Sequence, residues 1–527
     1  MDPHSTQSAE ASCMDNGTLG PRAGRQRPRQ IRNLSVRVRN TTPSEHLGSG
    51  GKIDGDSAIN VLILEHRPTE PLMEAHLYQT KTPYGLGGKP NKQPLLNEFR
   101  GRDITTLRTP AVVIDRALFK RNCTRMHENA KQWGASFRAH VKTHKTAEGT
   151  RFQLISQADR THAVVVSTMM EAWEIVRQGL VEEGTVKDIL YGLPVAVNKI
   201  EDLSALWDEV EPYDGVVRLL VDHPEQLRHL AAFEEQRTKS RKWSIFLKLD
   251  AGVRGKILCI YRRHWLTPNS RRAGLVPGSG EFNALLELIL ISPAIELYGF
   301  YCHAGQSYGS RSFENASAFL SVEVEAVNEA AGLALTMRRK QGLESPPKPY
   351  VLAVGSTPTA HAATAETRAH ITSILNGTLE LHAGNYALLD LQQIHTSLVE
   401  KTRVSQRVLA TVLSYYPGRG EGGSDEALCD AGAIAMSKDT GPSGSFGEVL
   451  DSSWKLGRVS QEHGILTRDS VGTPEGQEAL RVGQVVQIVG QHACLTLAAH
   501  PWYYIVDSED EGDAKTVQDV WIPWKGW

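Results

Sequence analysis

Between Thr109 and about Ser397 the chain repeats one pattern, a short apolar run followed by a longer stretch that is apolar along one side. The runs "SFRAHVKTH", "HAVVVST", "DILYGLP", "VVRLLVD", "WSIFLKLDAG", "IELYGFYCHAG", "YVLAVGS" and "TLELHAGNY" make eight such units. A strand that is apolar along its whole length, and not only at alternate positions, is buried on both faces. Helices between such strands cover those faces, which predicts a parallel sheet. Eight consecutive units predict an α/β fold, a (β/α)8 barrel. After about Ser397 the alternation stops. "RVLATVLSYYP", "ALCDAGAIAM" and "GQVVQIVGQHACLTLAAHPWYYIVD" then read as strands joined by turns, a mainly β domain. The expected organisation is a leader over 1–95, a barrel over 96–396 and a β domain over 397–527.

The leader is rich in Ser, Thr, Gly, Pro, Asn and Arg, a composition that buries little apolar surface and predicts mostly disorder. Its basic stretch "GRQRPRQIRNLSVRVRN" is preceded by Asp2, Glu10 and Asp15, which speaks against a mitochondrial presequence. A net charge of −2 gives no reason to expect nucleic acid or an anionic membrane as partner. No run of apolar residues is long enough for a membrane span, and no secretory signal core is visible. The six cysteines are scattered without a CxxC pair. In a chain of 527 residues they read as reduced thiols, which predicts a cytoplasmic protein.

In a barrel of this kind the chemistry collects at the C-terminal ends of the strands. The first strand ends in His140, Lys142 and His144, and a later one in Tyr301, His303 and Tyr308. The last two end in "VGSTPT" and "HAGNY", which supply Gly355, Ser356, Thr357, His382, Gly384 and Asn385. Glycines let a backbone approach a phosphate, and Thr and Asn donate hydrogen bonds to it. A lysine on the first strand facing phosphate loops on the last ones is an arrangement that can hold an aldehyde cofactor as a Schiff base. Taken singly, a Lys/His cluster is also an ordinary solvated rim, and "GSTPT" an ordinary turn. In "QHACLT", His492 and Cys494 are two apart, so on a strand both would face one side, as a shared zinc ion requires. A core cysteine beside a satisfied histidine has the same spacing.

Taken together, "RTPAVVIDRALFKRNCTRM", "FRAHVKTHKT", "YGFYCHAGQSY", "VGSTPTA", "ELHAGNYALLDLQQ", "CDAGAIAMSKDTGP", "EHG" and "HACLTLAAHPWYYIVD" resemble the eukaryotic D-serine dehydratase family. These are fold-type III pyridoxal-phosphate enzymes related to D-threonine aldolase and alanine racemase. The resemblance runs from about Thr109 to Trp524. It implies an alanine-racemase-like barrel plus β domain, a homodimer, and a lyase that turns D-serine into pyruvate and ammonia. It implies pyridoxal 5'-phosphate bound covalently to Lys142 and contacted by Tyr301, Tyr308, Thr357, Gly384 and Asn385. It also implies catalytic Zn2+ on His492 and Cys494, with the β domain of one subunit closing the barrel of the other, so that the pair faces the partner's lysine. D-threonine aldolases carry an acidic residue where Cys494 stands, which makes Cys494 the discriminating position.

One stretch departs from the family pattern. A D-x-G-x-x-R-x-G motif is split here, with "DAGV" and "RRAG" separated by a basic insert near 254–270. A retained short intron is the preferred explanation, and a true loop, which would displace Arg272, the other. Two further functions fit the residues: a D-3-hydroxyamino-acid lyase of the D-threonine aldolase type, and a non-catalytic pyridoxal-phosphate-binding protein. A carrier of the second kind needs neither the β domain nor the His492/Cys494 pair.

Overall fold

The computed structural model describes residues 89–251, 273–371, 374–468, 479–510 and 514–527. Residues 1–88 of the leader, the insert at 254–270 and Arg272 lie outside the described residues.

The chain enters a β-sheet before it enters the barrel. Strand β1 (Ala111–Asp115) is fully buried, and Asp115 then caps the helix Arg116–Gln132 by accepting from the N–H groups of Ala117 and Leu118. Eight strands follow: β2 (Ser136–His140), β3 (Ala163–Val166), β4 (Asp188–Pro194), β5 (Val216–Val221), β6 (Trp243–Leu249), β7 (Ile295–Cys302), β8 (Tyr350–Val354) and β9 (Gly377–Ala383). They pair in order, all parallel, and β2 closes on β9 to complete the barrel. All eight coincide with the apolar runs that predicted them.

Several helices between strands start on side-chain caps. Thr146, Thr168, Ser279 and Ser312 each accept a backbone N–H from the first turn of the helix that follows. Their inner faces are apolar at helical spacing. In Ile200–Val210 the buried residues include Ile200, Leu203, Leu206, Trp207 and Val210.

The second sheet contains β10 (Gln406–Tyr416), β11 (Glu426–Cys429), β12 (Gly447–Val449), β13 (Lys455–Val459), β14 (Gly464–Thr467), β15 (Val485–Gly490), β16 (Tyr503–Val506) and β17 (Asp519–Trp521), together with β1. β10 is long and bulged between Val412 and Ser414. It therefore pairs with β15 along its first half and with β11 along its second, closing a ring through β12, β13 and β14. β1 lies between β10 and β16, antiparallel to the first and parallel to the second. The barrel is thus inserted between two neighbouring strands of the other sheet, and both belong to one compact unit. At the split motif the two flanks meet, because Asp250 N–H donates to Leu275 O at 3.0 Å and Leu275 N–H to Lys248 O at 3.0 Å.

The barrel interior is charged below the catalytic end. Arg138 on β2 is fully buried and donates to Glu380 on β9 at 2.8 Å and to Asp188 on β4 at 2.6 Å. Asp188 also accepts from Arg218 at 2.7 Å, and Arg218 lies over the Tyr298 ring. Burial alone would raise the Glu380 carboxyl, but the Arg138 charge and a hydrogen bond from His382 hold it well below the carboxylate range. Removing one partner of such a group leaves an uncompensated buried charge. Arg138→Met is therefore expected to destabilise the fold by about 3–5 kcal/mol, read as a lower urea midpoint. Arg151→Met breaks an exposed pair with Glu183 and should cost roughly 0–1 kcal/mol in the same assay.

Candidate active site

The catalytic end of the barrel opens into a cavity of about 420 Å³. Lys142, Tyr301, Tyr308, Thr357, Gly384, Asn385, His492 and Cys494, the eight residues singled out from the sequence, all line it. They do so within one chain. The expectation that His492 and Cys494 face a partner's lysine is corrected accordingly: the turn that follows β15 reaches the chain's own β2 loop, and Thr143 Oγ1 lies 3.2 Å from Cys494 Sγ.

Lys142 sits just past β2, in a turn where Lys145 N–H donates to Val141 O at 2.9 Å. Its two histidine neighbours part ways. His140 lines the cavity, and burial, with the charge of Lys142 next, holds its pKa well below the ordinary imidazole value. His144 is buried behind the loop between Thr146 Oγ1 and Gln153 Oε1, and burial brings it down to about 4. Lys145 turns to Glu171 at 3.1 Å.

The opposite wall comes from the ends of β8 and β9. Gly355 has φ +130°, and a Cβ there would stand 2.3 Å from His382 O, so only glycine fits. Thr357 opens a short helical turn, and its Oγ1 accepts from Asn385 N–H at 3.2 Å. The Tyr308 phenol hydrogen-bonds with Thr357, and burial, reinforced by Cys494, pushes its pKa up, so it stays protonated. Tyr301 stacks on His382 with ring centres 4.8 Å apart. Two buried atoms of this wall, His382 Nδ1 and Asn385 Oδ1, have no partner in the protein. Glycine at a close approach, hydroxyl and amide donors, unpartnered polar atoms and a lysine across the gap fit a phosphorylated aldehyde cofactor.

The His492/Cys494 pair does not lie on a strand. β15 ends at Gly490, and His492 precedes the helical turn Ala493–Thr496. The two side chains still meet. Burial alone would lower His492, but its hydrogen bond and charge interaction with Cys494, followed by Asp390 and Asp439, raise it to about 9. Burial alone would raise Cys494, but the His492 hydrogen bond and the Lys142 charge bring it below the ordinary thiol value. An imidazole beside a thiol inclined to ionise is a donor set that suits zinc. Among the described residues no group of three His, Cys, Asp or Glu residues is placed to hold a metal, so the pair supplies two protein ligands at most.

Three residues of the site escaped the sequence reading. Lys248 lines the cavity and donates to Leu249 O at 2.8 Å; its signal was a lysine inside the wholly buried strand "WSIFLKL". Asp390 is fully buried and accepts from Asn385 Nδ2 at 2.5 Å and from Ala493 N–H at 2.8 Å, tying the cofactor wall to the turn that carries His492 and Cys494. Its signal was an Asp ahead of a helical turn, the place of an N-cap. Asp439, bonded to His492, had no local signal.

A closed parallel barrel with a lysine at the end of its first strand, joined to a β domain, is an alanine-racemase-like fold. An alanine-racemase-like protein from Idiomarina loihiensis superposes with a TM-score of 0.62 at 23% identity, over 80% of this chain and 99% of that one. The D-threo-3-hydroxyaspartate dehydratase of Delftia sp. HT23 superposes with a TM-score of 0.64 at 28% identity, over 81% and 100%. Residues 405–506 match the family model described as a putative serine dehydratase domain. A D-serine dehydratase from Schizosaccharomyces pombe is 42% identical over 83% of this chain and 96% of its own length. The chain belongs to the D-serine dehydratase family, and it is a pyridoxal-phosphate-dependent lyase.

Replacing Gly355 tests the wall. Gly355→Ala is expected to lower the cofactor retained after dialysis, measured by visible absorbance. Gly309→Ala, where a Cβ meets nothing within 4 Å, should retain the wild-type amount.

Proposed function

We propose that the enzyme converts D-serine to pyruvate and ammonia, by removal of the Cα proton and zinc-assisted loss of the β-hydroxyl. The observation that carries this reading is the placement of Lys142 and the His492/Cys494 pair on one cavity. When bound, pyridoxal phosphate supplies an electron sink that acidifies Cα–H of an amino acid, and zinc a Lewis acid for a hydroxyl leaving group. Tyr308, Thr357, Gly384 and Asn385 would hold the phosphate, and Tyr301 would contribute to the ring site. Lys142 Nζ would anchor the cofactor, and its free amine would accept the Cα proton. His140, kept neutral by burial and by Lys142, adds no second cation beside that amine. His492 and Cys494 would hold zinc, which would make the β-hydroxyl a better leaving group. The enamine set free hydrolyses to pyruvate and ammonia in water.

A metal role is supported by a relative: a Cys-to-Ala variant of the Delftia dehydratase is known in a metal-free form. The alternative, a retro-aldol lyase of D-3-hydroxyamino acids, would start from the β-hydroxyl proton. The reading includes a homodimer, which sedimentation velocity tests, although one chain already brings the eight residues together. It also places the enzyme in the cytoplasm. Four described cysteines are free, and no helix among the described residues is long and apolar enough to cross a membrane.

Product analysis decides between the chemistries. D-serine should yield pyruvate and ammonia, whereas glycine plus an aldehyde from D-threonine as the main activity would favour the aldolase. Borohydride should fix the cofactor to Lys142, seen by peptide mapping, and Lys142→Ala should abolish turnover. Cys494→Ala should keep its cofactor and still exchange the Cα proton in deuterated water, yet make almost no pyruvate. A chelator should act likewise on the wild type, with zinc restoring activity. Undiminished pyruvate from zinc-free enzyme would remove the metal from the mechanism.

A further inference from the structure

His492 is held from outside the cavity. Its Nδ1–H donates to Asp439 Oδ2 at 2.9 Å, and the two residues are 53 apart in sequence. Asp439 belongs to the segment that follows the helical turn Ala433–Met436, and several contacts fix that segment against the metal turn. Ser437 has φ +82°, a backbone conformation that non-glycine residues rarely adopt, and its Oγ accepts from Asp439 N–H at 3.3 Å. Further along, Gln491, the neighbour of His492, donates through Nε2 to Ser445 O at 3.0 Å. Gly441 packs so closely on Gln491 that a Cβ would stand 2.6 Å from its Oε1. Asp439 is therefore a placed partner and not a passing surface contact, even though its side chain is 42% exposed.

An imidazole that binds zinc is neutral and carries one proton, and the hydrogen bond made by one nitrogen decides what the other can do. With Nδ1–H committed to a carboxylate, the lone pair resides on Nε2. His492 lines the catalytic cavity and also meets Cys494.

We propose that Asp439 is a positioning residue for the metal: it fixes His492 as the Nδ1–H tautomer, orients the ring, and leaves Nε2 as the zinc donor beside Cys494. The carboxylate also makes the imidazole a stronger donor, and loss of such a partner typically weakens metal binding about 10- to 100-fold. The inference deepens the zinc reading above and rests on it.

The test measures zinc affinity on full-length, cofactor-loaded enzyme by competition with a chromophoric chelator. Asp439→Ala is expected to bind zinc about 10- to 100-fold more weakly than wild type. Asp439→Asn keeps an acceptor oxygen but no charge and should fall between the two. Cofactor content and melting temperature should stay at wild-type values in both variants. Cobalt in place of zinc should show a thiolate charge-transfer band on the wild type, altered in Asp439→Ala. Equal zinc affinity and an unchanged cobalt band in Asp439→Ala would overturn the inference alone. A parallel fall in zinc, cofactor and melting temperature would also overturn it, by making Asp439 a structural residue. A wild-type enzyme that binds no zinc would overturn the zinc reading and this inference with it.

Discussion

A buried guanidinium stands at the seam where the barrel closes. Arg138 on β2 reaches Glu380 on β9, its neighbour across the closure, and Asp188 on β4, two strands away in the other direction. A charge with no access to water must be matched within the barrel, and these two carboxylates do so. Glu380 carries the link upward, because it accepts from His382 Nε2 at 2.7 Å, and His382 stacks on Tyr301 at the cavity. The strand register that satisfies Arg138 is thus also the register that sets the cavity wall. A slip of β9 against β2 would break both.

The cavity is finished by a second set of constraints, between sheets and not within the barrel. Asp390 accepts from the cofactor wall through Asn385 and from the His492/Cys494 turn through Ala493. Thr143 meets Cys494, and Trp524 N–H donates to Lys145 O at 2.7 Å, so the C-terminal residues brace the loop that carries Lys142. Groups that must act on one small substrate come from opposite ends of the chain. Each is held by a short, specific contact, as preorganised chemistry requires.

Much of this is legible in the amino-acid sequence, for identifiable reasons. The eight barrel strands are mostly apolar because they are covered on both faces, and that signal is local, interrupted by charged residues such as Arg138, Asp188 and Glu380. Lys142, Tyr301, Tyr308, Thr357, Gly384 and Asn385 are visible because barrel topology sends strand ends to one place. Non-local pairings are not visible. Nothing within "AVVID" says that it pairs with residues of "SQRVL" far along the chain. His492 and Cys494 are expected on one strand face, yet a helical turn brings them together, since a spacing of two does not distinguish the two geometries. Asp439 and Asp390 act through partners distant in sequence, and such contacts leave no periodicity.

The insertion of the barrel between β1 and β10 has a consequence for the order of biosynthesis. β1 leaves the ribosome early, but Ile114 pairs with Gln406, and β16, its other neighbour, comes later still. Through the synthesis of the whole barrel, β1 is a largely apolar strand with both hydrogen-bonding edges unmet, the kind of segment that invites pairing with another chain. The barrel can close on its own strands in that interval, whereas the second sheet cannot begin on β1 until it is done. The turn that carries His492 and Cys494, which lies between β15 and β16, is therefore set in place only once that late sheet forms. A nascent chain carries its lysine in a finished barrel well before His492 and Cys494 can stand beside it.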